Sequence, residues 1–398
     1  MIAQPTAPSG IETVPAAAAG GSRPRFPCFD GLRALAAIAI LVHHTAFWTS
    51  GGMSVWGPYY AELTVGVYVF FVISGFLLYR PYAARNHLGT PTTATRPYLR
   101  RRFLRLYPAY WVALGLSLYI LPTHFTGFSG PGEAIANFAL VQRYFGSMNI
   151  FAGLPQAWTL VTELSFYLFL PAYAWLLARI VARSGLRGEL AALAALVLAG
   201  LCVQIASVFA GPIWPPLTVL PFYLPVFGVG MLLAVVSVWA EGSGLGATVV
   251  RIAGSWPWMW WGLAIAAFVA TAELAATAGP DRSETLVFVT VWSHTLIGMF
   301  LVLPGAFGVQ DRGLIRRFLR SRPWAFLGVV SYGIYLWHPT IGSLVRDRWW
   351  AADPTTLDVW QLLIPVFAGS VAVSALSYYA VERPCIRLSH RRSTTRRI

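Results

Sequence analysis

Apolar segments long enough to cross a bilayer recur through most of this sequence, at about 31 to 48, 61 to 79, 106 to 122, 158 to 178, 189 to 210, 217 to 240, 258 to 278, 285 to 307, 324 to 345 and 357 to 381. Hydrocarbon offers no partner for a peptide group, so a crossing segment must satisfy its own backbone as a helix or join a closed barrel. Barrel strands need only about ten residues, whereas these runs have roughly the 17 to 25 residues of a helical span. The expected fold is therefore all-α, a polytopic transmembrane helical bundle of about ten helices forming one membrane domain over residues 29–384. Composition agrees: 57% of the 398 residues are hydrophobic and 11% charged, too few charges to cover a soluble globule of this size.

The formal net charge of +14 comes from 29 basic residues, all of them arginine. A cytoplasmic N-terminus places every arginine except Arg143, Arg282, Arg346 and Arg348 on the inner side. By the positive-inside rule this supports an even number of crossings, with both termini cytoplasmic. Residues 1–28 are rich in Ala, Pro, Gly and Ser and lack a basic stretch before an apolar run, so they read as a disordered cytoplasmic tail rather than a signal peptide. Residues 385–398 read as a basic cytoplasmic tail. Nucleic-acid binders carry arginine on a solvated face beside stacking aromatics; here the arginines sit between apolar runs, and nucleic acid is excluded. Cys28, Cys202 and Cys385 are widely spaced with no CxxC pair, so neither a disulfide framework nor a metal site is expected.

Ionisable groups inside a span are costly and are candidate functional residues by default. Here they are Arg33, His43 and His44 on the first helix, Glu163 on the fourth, Glu273 on the seventh, His294 on the eighth and His338 on the ninth. Arg33 and His44 are eleven residues apart, which places them on one helix face about 16 Å apart along the axis. They are expected to address one cavity at two depths. An arginine near the surface that grips phosphate and a deeper histidine at the acyl end of a pantetheine arm suit a CoA thioester; the alternative is a hydrogen-bonded structural histidine. His43, about 100° around the helix, is expected to face elsewhere. Glu273 and His294 read as structural or outward-facing.

The second loop carries Arg96, Arg100, Arg101, Arg102 and Arg105. Such a cluster can bind the phosphates of CoA, or enforce topology and touch anionic lipid. Arg102 and Arg105, three apart, share a face. On the fourth helix, Trp158, Thr159, Glu163, Phe166 and Tyr167 set one carboxylate among aromatic residues, free to pair with an arginine, orient a histidine or hold a substrate hydroxyl. On the ninth, Ser331, Tyr332, Tyr335 and His338 line the same cavity or serve as interhelical hydrogen-bonding groups. Glu382, Arg383 and Pro384 are expected to end the last helix.

Six blocks then occur in order: FDGLRALAAIAILVHH around Arg33 and His44, VYVFFVISGFLL at 67–78, RRFLRLYPAYW at 101–111, AWTLVTELSFYLFLP at 157–171, LGVVSYGIYLWHP at 327–339 and SYYAVERP at 377–384. From about Phe29 to about Pro384 the chain resembles the acyltransferase-3 family of integral membrane acyltransferases. The resemblance implies a ten-helix core in the bacterial cytoplasmic (inner) membrane, cytoplasmic acyl-CoA (acetyl-CoA by default) as co-substrate with no bound cofactor, and acceptors of the glycan or glycoconjugate class. It assigns Arg33 and His44 to the family's arginine and histidine signature, Arg101, Arg102 and Arg105 to its arginine motif, and Trp158 and Glu163 to its tryptophan-to-glutamate motif. That motif commonly shows a second acidic residue, where this sequence has Leu164.

The mechanism expected from these residues has Arg33, Arg101, Arg102 and Arg105 binding acyl-CoA, His44 as general base or transient acyl carrier, and Glu163 orienting His44 or binding acceptor. Asp30, Trp158, Ser331, Tyr332, Tyr335 and His338 are the expected cavity lining. Many relatives carry an SGNH hydrolase-like domain after the membrane core. The sequence runs about fifteen residues past Glu382, and the expectation is that it completes the transfer itself or hands the acyl group to a separate protein. Two other classes stay open: a transporter or flippase of a lipid-linked glycan without covalent chemistry, and a scaffold for an envelope complex. Obvious paired half-repeats would favour transport, and none is found.

Overall fold

A computed structural model describes residues 26–120, 128–145, 152–209, 219–278, 284–308, 312–349 and 357–391. Residues 1–25 of the expected N-terminal tail and 392–398 of the expected C-terminal tail lie outside the described residues, and 385–391 are helical. Among these residues fifteen α-helical segments follow one another: α1 (Cys28–Phe47), α2 (Gly57–Glu62), α3 (Val65–Leu88), α4 (Thr95–Ile120), α5 (Pro131–Phe138), α6 (Trp158–Phe209), α7 (Leu220–Gly242), α8 (Gly244–Ser255), α9 (Pro257–Ala278), α10 (Glu284–Ala306), α11 (Leu314–Leu319), α12 (Arg322–Val329), α13 (Ser331–Trp349), α14 (Val359–Ser377) and α15 (Arg383–Arg391). Among the described residues there is no strand.

Among the described residues, eight segments are long and apolar enough to cross a membrane. Two things separate this from the expected ten. The runs expected at 158 to 178 and 189 to 210 are two helices that meet without a break in chain at Gly185, whose φ of 57° glycine adopts without a Cβ clash, and they count as the single segment α6. The run expected at 324 to 345 divides at Val330 into α12 and α13, and α13 carries His338, Arg346, Asp347 and Arg348, which keeps it out of that set. The last apolar segment does not stop at Glu382. A single π-helical turn, Tyr378–Glu382, joins α14 to α15, so Pro384, which has no N–H to donate, falls in the first turn of α15 where none is needed.

Helices α1, α3 and α13 form the centre, with α7 laid against α3 and α6. Backbone proximity between α3 and α7 rests on glycine. A Cβ at Gly75 would lie 2.2 Å from the Phe227 carbonyl oxygen, and one at Gly230 would lie 2.2 Å from that of Val72. Apolar side chains gain little from meeting one another in lipid, so close small-residue packing of this kind holds membrane helices together. Polar ties fix the arginine-rich end. The buried Glu189 of α6 accepts from Tyr79 and from Asn86 Nδ2 (3.2 Å) and pairs with His87, while Arg80 bonds Ser237 Oγ at 3.1 Å and pairs with Glu241. Large apolar side chains on the outside of α6, α9 and α14, among them Trp175, Leu198, Ile265, Ile364 and Leu376, are exposed and make the lipid-facing surface.

Candidate active site

Two chambers meet inside the bundle. The first, about 240 Å³, is walled by α1, α3, α4, α6 and α13 and holds the guanidinium groups of Arg33, Arg102 and Arg105. It shares Leu77, Leu78, Arg102 and Arg105 with a vestibule of about 280 Å³ that Arg101 also lines. A carboxylate stands among these cations: Glu163 accepts from Ser74 Oγ at 3.1 Å and from the Tyr167 hydroxyl at 2.5 Å. Arg33 is held by Asp30 at 3.2 Å, one turn back on α1. Arg102 lies 5.8 Å from the ring centres of Tyr98 and Tyr167, with its buried Nε unpartnered. Three arginines lining one chamber, set against Glu163 and the Asp30 partner of Arg33, leave positive charge for an anionic ligand, and planar guanidinium forks match phosphate.

The second chamber, about 450 Å³, is lined by His43 and His44 from the far end of α1 together with Gln142, Gln156, Trp158, Tyr223 and His294. Arg143 also lines it; burial lowers its pKa from the ordinary arginine value. Val67 and Tyr335 line both chambers and so form the partition between them. The Tyr335 hydroxyl donates to the Gln156 carbonyl at 3.0 Å and lies 2.8 Å from Thr159 Oγ1, which spans the gap between α13 and α6.

Behind His44 stands His338, fully buried on α13. His338 Nδ1 is 3.1 Å from the Ile334 carbonyl and its Nε2 is 3.1 Å from His44 Nδ1, which is itself 3.0 Å from the Ile40 carbonyl. Carbonyls only accept, so the two carbonyls assign the protons: Nδ1–H on both rings. His338 Nε2 is then a lone pair facing His44 Nδ1–H, and His44 Nε2 is left bare as the ring's available base or nucleophile.

A family model described as an acyltransferase domain matches residues 26–379, almost the whole membrane core. The chain belongs to the acyltransferase-3 family. Among curated acyltransferases and related proteins, the chain is 27% identical over 394 residues to the peptidoglycan O-acetyltransferase OatA of Listeria monocytogenes, covering 91% of this chain and 56% of that protein. It is 28% identical over 393 residues to the acyltransferase MdmB of Streptomyces mycarofaciens, with 92% and 93% covered. Nodulation protein 10 of Rhizobium leguminosarum is 27% identical over 391 residues, with 90% and 93% covered. The chain thus spans little more than half the length of the peptidoglycan O-acetyltransferase. No solved structure matches.

Set against the sequence expectations, this acyltransferase-3 core brings Arg33, Arg102, Arg105, Glu163, Ser331, Tyr332 and Tyr335 to the first chamber, and His44, Trp158 and again Tyr335 to the second. Arg33 and His44 therefore address two adjoining chambers rather than one. His43 does not face elsewhere: its ring centre is 4.9 Å from that of His44, its Nδ1 is 2.9 Å from the Tyr60 carbonyl, and it lines the same chamber. Adjacent residues diverge by 100° on a helix, but imidazoles near a helix end reach one wide cavity from both directions. Glu163 is bound within the arginine chamber to Ser74 and Tyr167, so it is not placed to orient His44. His294 is buried and pairs with Glu62 at 2.9 Å, whereas Glu273 is on the surface with Tyr59. Asp30 acts through Arg33, and His338 through His44, rather than lining a chamber.

Sequence reasoning missed Glu62, Gln142, Gln156, Tyr223 and Thr290. Glu62 had a signal, since it lies inside an expected span and meets the same test as Glu163. The two glutamines lie between spans, where polar residues are unremarkable until the fold brings them over a cavity.

Proposed function

We propose that this protein transfers an acyl group from acyl-CoA to a hydroxyl of a sugar-containing acceptor in the bacterial cytoplasmic membrane. The observation that carries the reading is the oriented His44, whose bare Nε2 is available in a chamber that adjoins three converging arginines across a thin partition. Phosphates of the donor bind Arg33, Arg102 and Arg105, with Arg101 in the vestibule, and the arginine-rich end faces the cytoplasm. Pantetheine extends as far as the partition at Val67 and Tyr335, where the thioester meets an acceptor hydroxyl held by His44 from the other side. His44 Nε2 takes the acceptor hydroxyl proton as the oxygen attacks the acyl carbon; the C–O bond forms, the C–S bond breaks, and the proton passes to the CoA sulfur. The O-acetyltransferase names of the relatives support acetyl as the group moved and a glycan as its destination.

The test is turnover by the full chain in nanodiscs, following free CoA from acetyl-CoA with soluble peptidoglycan fragments as acceptor. Release that depends on the protein and is lost in His44→Ala and Arg33→Ala is the expected result. A folded protein that neither binds nor turns over acetyl-CoA would sink the reading. Because the chambers and vestibule follow one another through the bundle, translocation of a glycan without chemistry is the competing reading, and it predicts no CoA release under any condition.

A further inference from the structure

Apart from His294 Nε2, which faces Glu62 at 2.9 Å, three buried polar atoms without a hydrogen-bond partner belong to residues lining the histidine chamber: Gln142 Oε1, Gln156 Oε1 and Thr290 Oγ1. Gln142 and Gln156 are 7% and 3% exposed. The Gln156 amide cannot be turned to relieve this, because its Nε2 donates to the Leu336 carbonyl at 2.7 Å and a reversed amide would set two oxygens against each other. An orphaned buried acceptor costs about 1–3 kcal/mol, so two amide oxygens and a hydroxyl on residues that line one cavity call for a ligand or for water that a ligand replaces.

The chemistry of the wall narrows that ligand. Two of the three atoms are pure acceptors, so they ask for donors, and a hydroxyl-rich molecule supplies them. Beside them Trp158 and Tyr223, with ring centres 5.6 Å apart, present apolar aromatic surface. A saccharide ring has this mixed character, with O–H groups around its rim and C–H faces above and below. At about 450 Å³ the chamber falls within the usual range for small-molecule sites.

Resting on the acyl-transfer reading, the geometry points to the histidine chamber as the acceptor site: Gln142, Gln156 and Thr290 bind saccharide hydroxyls, Trp158 and Tyr223 pack against the ring, and the hydroxyl to be acylated is delivered to His44. The arginine chamber then serves the donor alone, and Tyr335 stands where the two substrates meet. Acceptor recognition is thereby assigned to residues that take no part in gripping CoA.

The experiment is two-substrate kinetics of the full chain in nanodiscs, with acetyl-CoA and soluble peptidoglycan fragments, comparing wild type with Gln142→Leu, Gln156→Met and Trp158→Phe. Each glutamine substitution should raise the saccharide KM about threefold to tenfold, the equivalent of one lost hydrogen bond, with the acetyl-CoA KM unchanged. Gln142→Leu leads because it breaks no bond to a helix carbonyl, so a poorly folded Gln156→Met does not decide the matter. A rise in the acetyl-CoA KM, or an altered preference among acetyl-, butyryl- and octanoyl-CoA, overturns the assignment by showing that the chamber holds the acyl arm. Unchanged kinetics in all three variants overturn it as well. Absence of turnover by wild type itself rejects acyl transfer and the acceptor site together, an outcome distinct from turnover that ignores the substitutions.

Discussion

His338 Nε2 lies 3.1 Å from His44 Nδ1, and the pair joins α13 to α1 across the core of the bundle. Each ring is also tied to the carbonyl four residues earlier on its own helix, Ile40 for His44 and Ile334 for His338. The consequence is directional. His338 is the acceptor and His44 Nδ1–H the donor, so in the proposed transfer a positive charge developing on His44 would be met by a lone pair 3.1 Å away.

That arrangement makes His338 a positioning residue with a specific signature. His338→Phe keeps an aromatic ring in the space but removes the acceptor, and kcat should fall about a hundredfold, the lower range for losing general-base assistance. The KM values should hold. His338→Gln, which can present an oxygen to His44 Nδ1, should recover part of the rate. Steady-state CoA release by the two variants decides it, and equal activities would mean that His338 only fills space.

Arg102 borders the arginine chamber, the vestibule and a basic groove with Arg96 and Arg100, so it occupies the junction through which the proposed anionic donor would pass. Its value should lie in its planar fork rather than its charge alone. Arg102→Lys should therefore raise the acetyl-CoA KM about tenfold, the loss of one bidentate contact, with the acceptor KM untouched. Saturation curves in both substrates measure this; an unchanged donor KM would place the phosphates elsewhere.

Tyr335 is 6% exposed and is held on the partition by Gln156 and Thr159. Replacing it by Ala merges the two chambers and lets water from the acceptor side reach the thioester. Acetyl-CoA hydrolysis without acceptor should rise about tenfold while transfer falls, since excluding water is what protects a reactive acyl group. Tyr335→Phe, which keeps the ring and loses only the two hydroxyl contacts, should lie between. Thiol release with and without saccharide separates the two activities.

The broad architecture was legible because lipid leaves so few options. Spanning lengths gave an all-helical bundle, and the ionisable groups within spans pointed to Arg33, His44 and Glu163. The division into two chambers was not legible, because whether Arg33 and His44 share a cavity depends on what α3 and α13 insert between them, and Val67 and Tyr335 are ordinary residues in the sequence. The role of His338 was equally hidden. Its i, i+3 relation to Tyr335 suggested a common lining face, yet its decisive neighbour is 294 positions away. The ending of the last helix was misjudged for a local reason: Pro384 reads as a stop unless the preceding turn widens, and here it does.

Glycine contacts between α3 and α7 set the position of Ser74 and of every chamber residue on α3, so they link stability to the site. A Cβ at position 230 would stand 2.2 Å from the Val72 carbonyl oxygen and 2.8 Å from Phe76 N, both backbone atoms that cannot rotate away. Gly230→Val should therefore force the helices apart at a cost of about 1–3 kcal/mol, the range for overpacking a tight interface. Gly262→Ala on α9, where a Cβ meets nothing within 4 Å, is the matched control and should leave stability unchanged or higher. Thermal unfolding in detergent followed by intrinsic tryptophan fluorescence compares the two. A lowered midpoint in Gly230→Val alone, accompanied by a raised acetyl-CoA KM as α3 shifts, is the expected pattern. Equal midpoints would mean that the α3–α7 contact does not hold the bundle as its geometry implies.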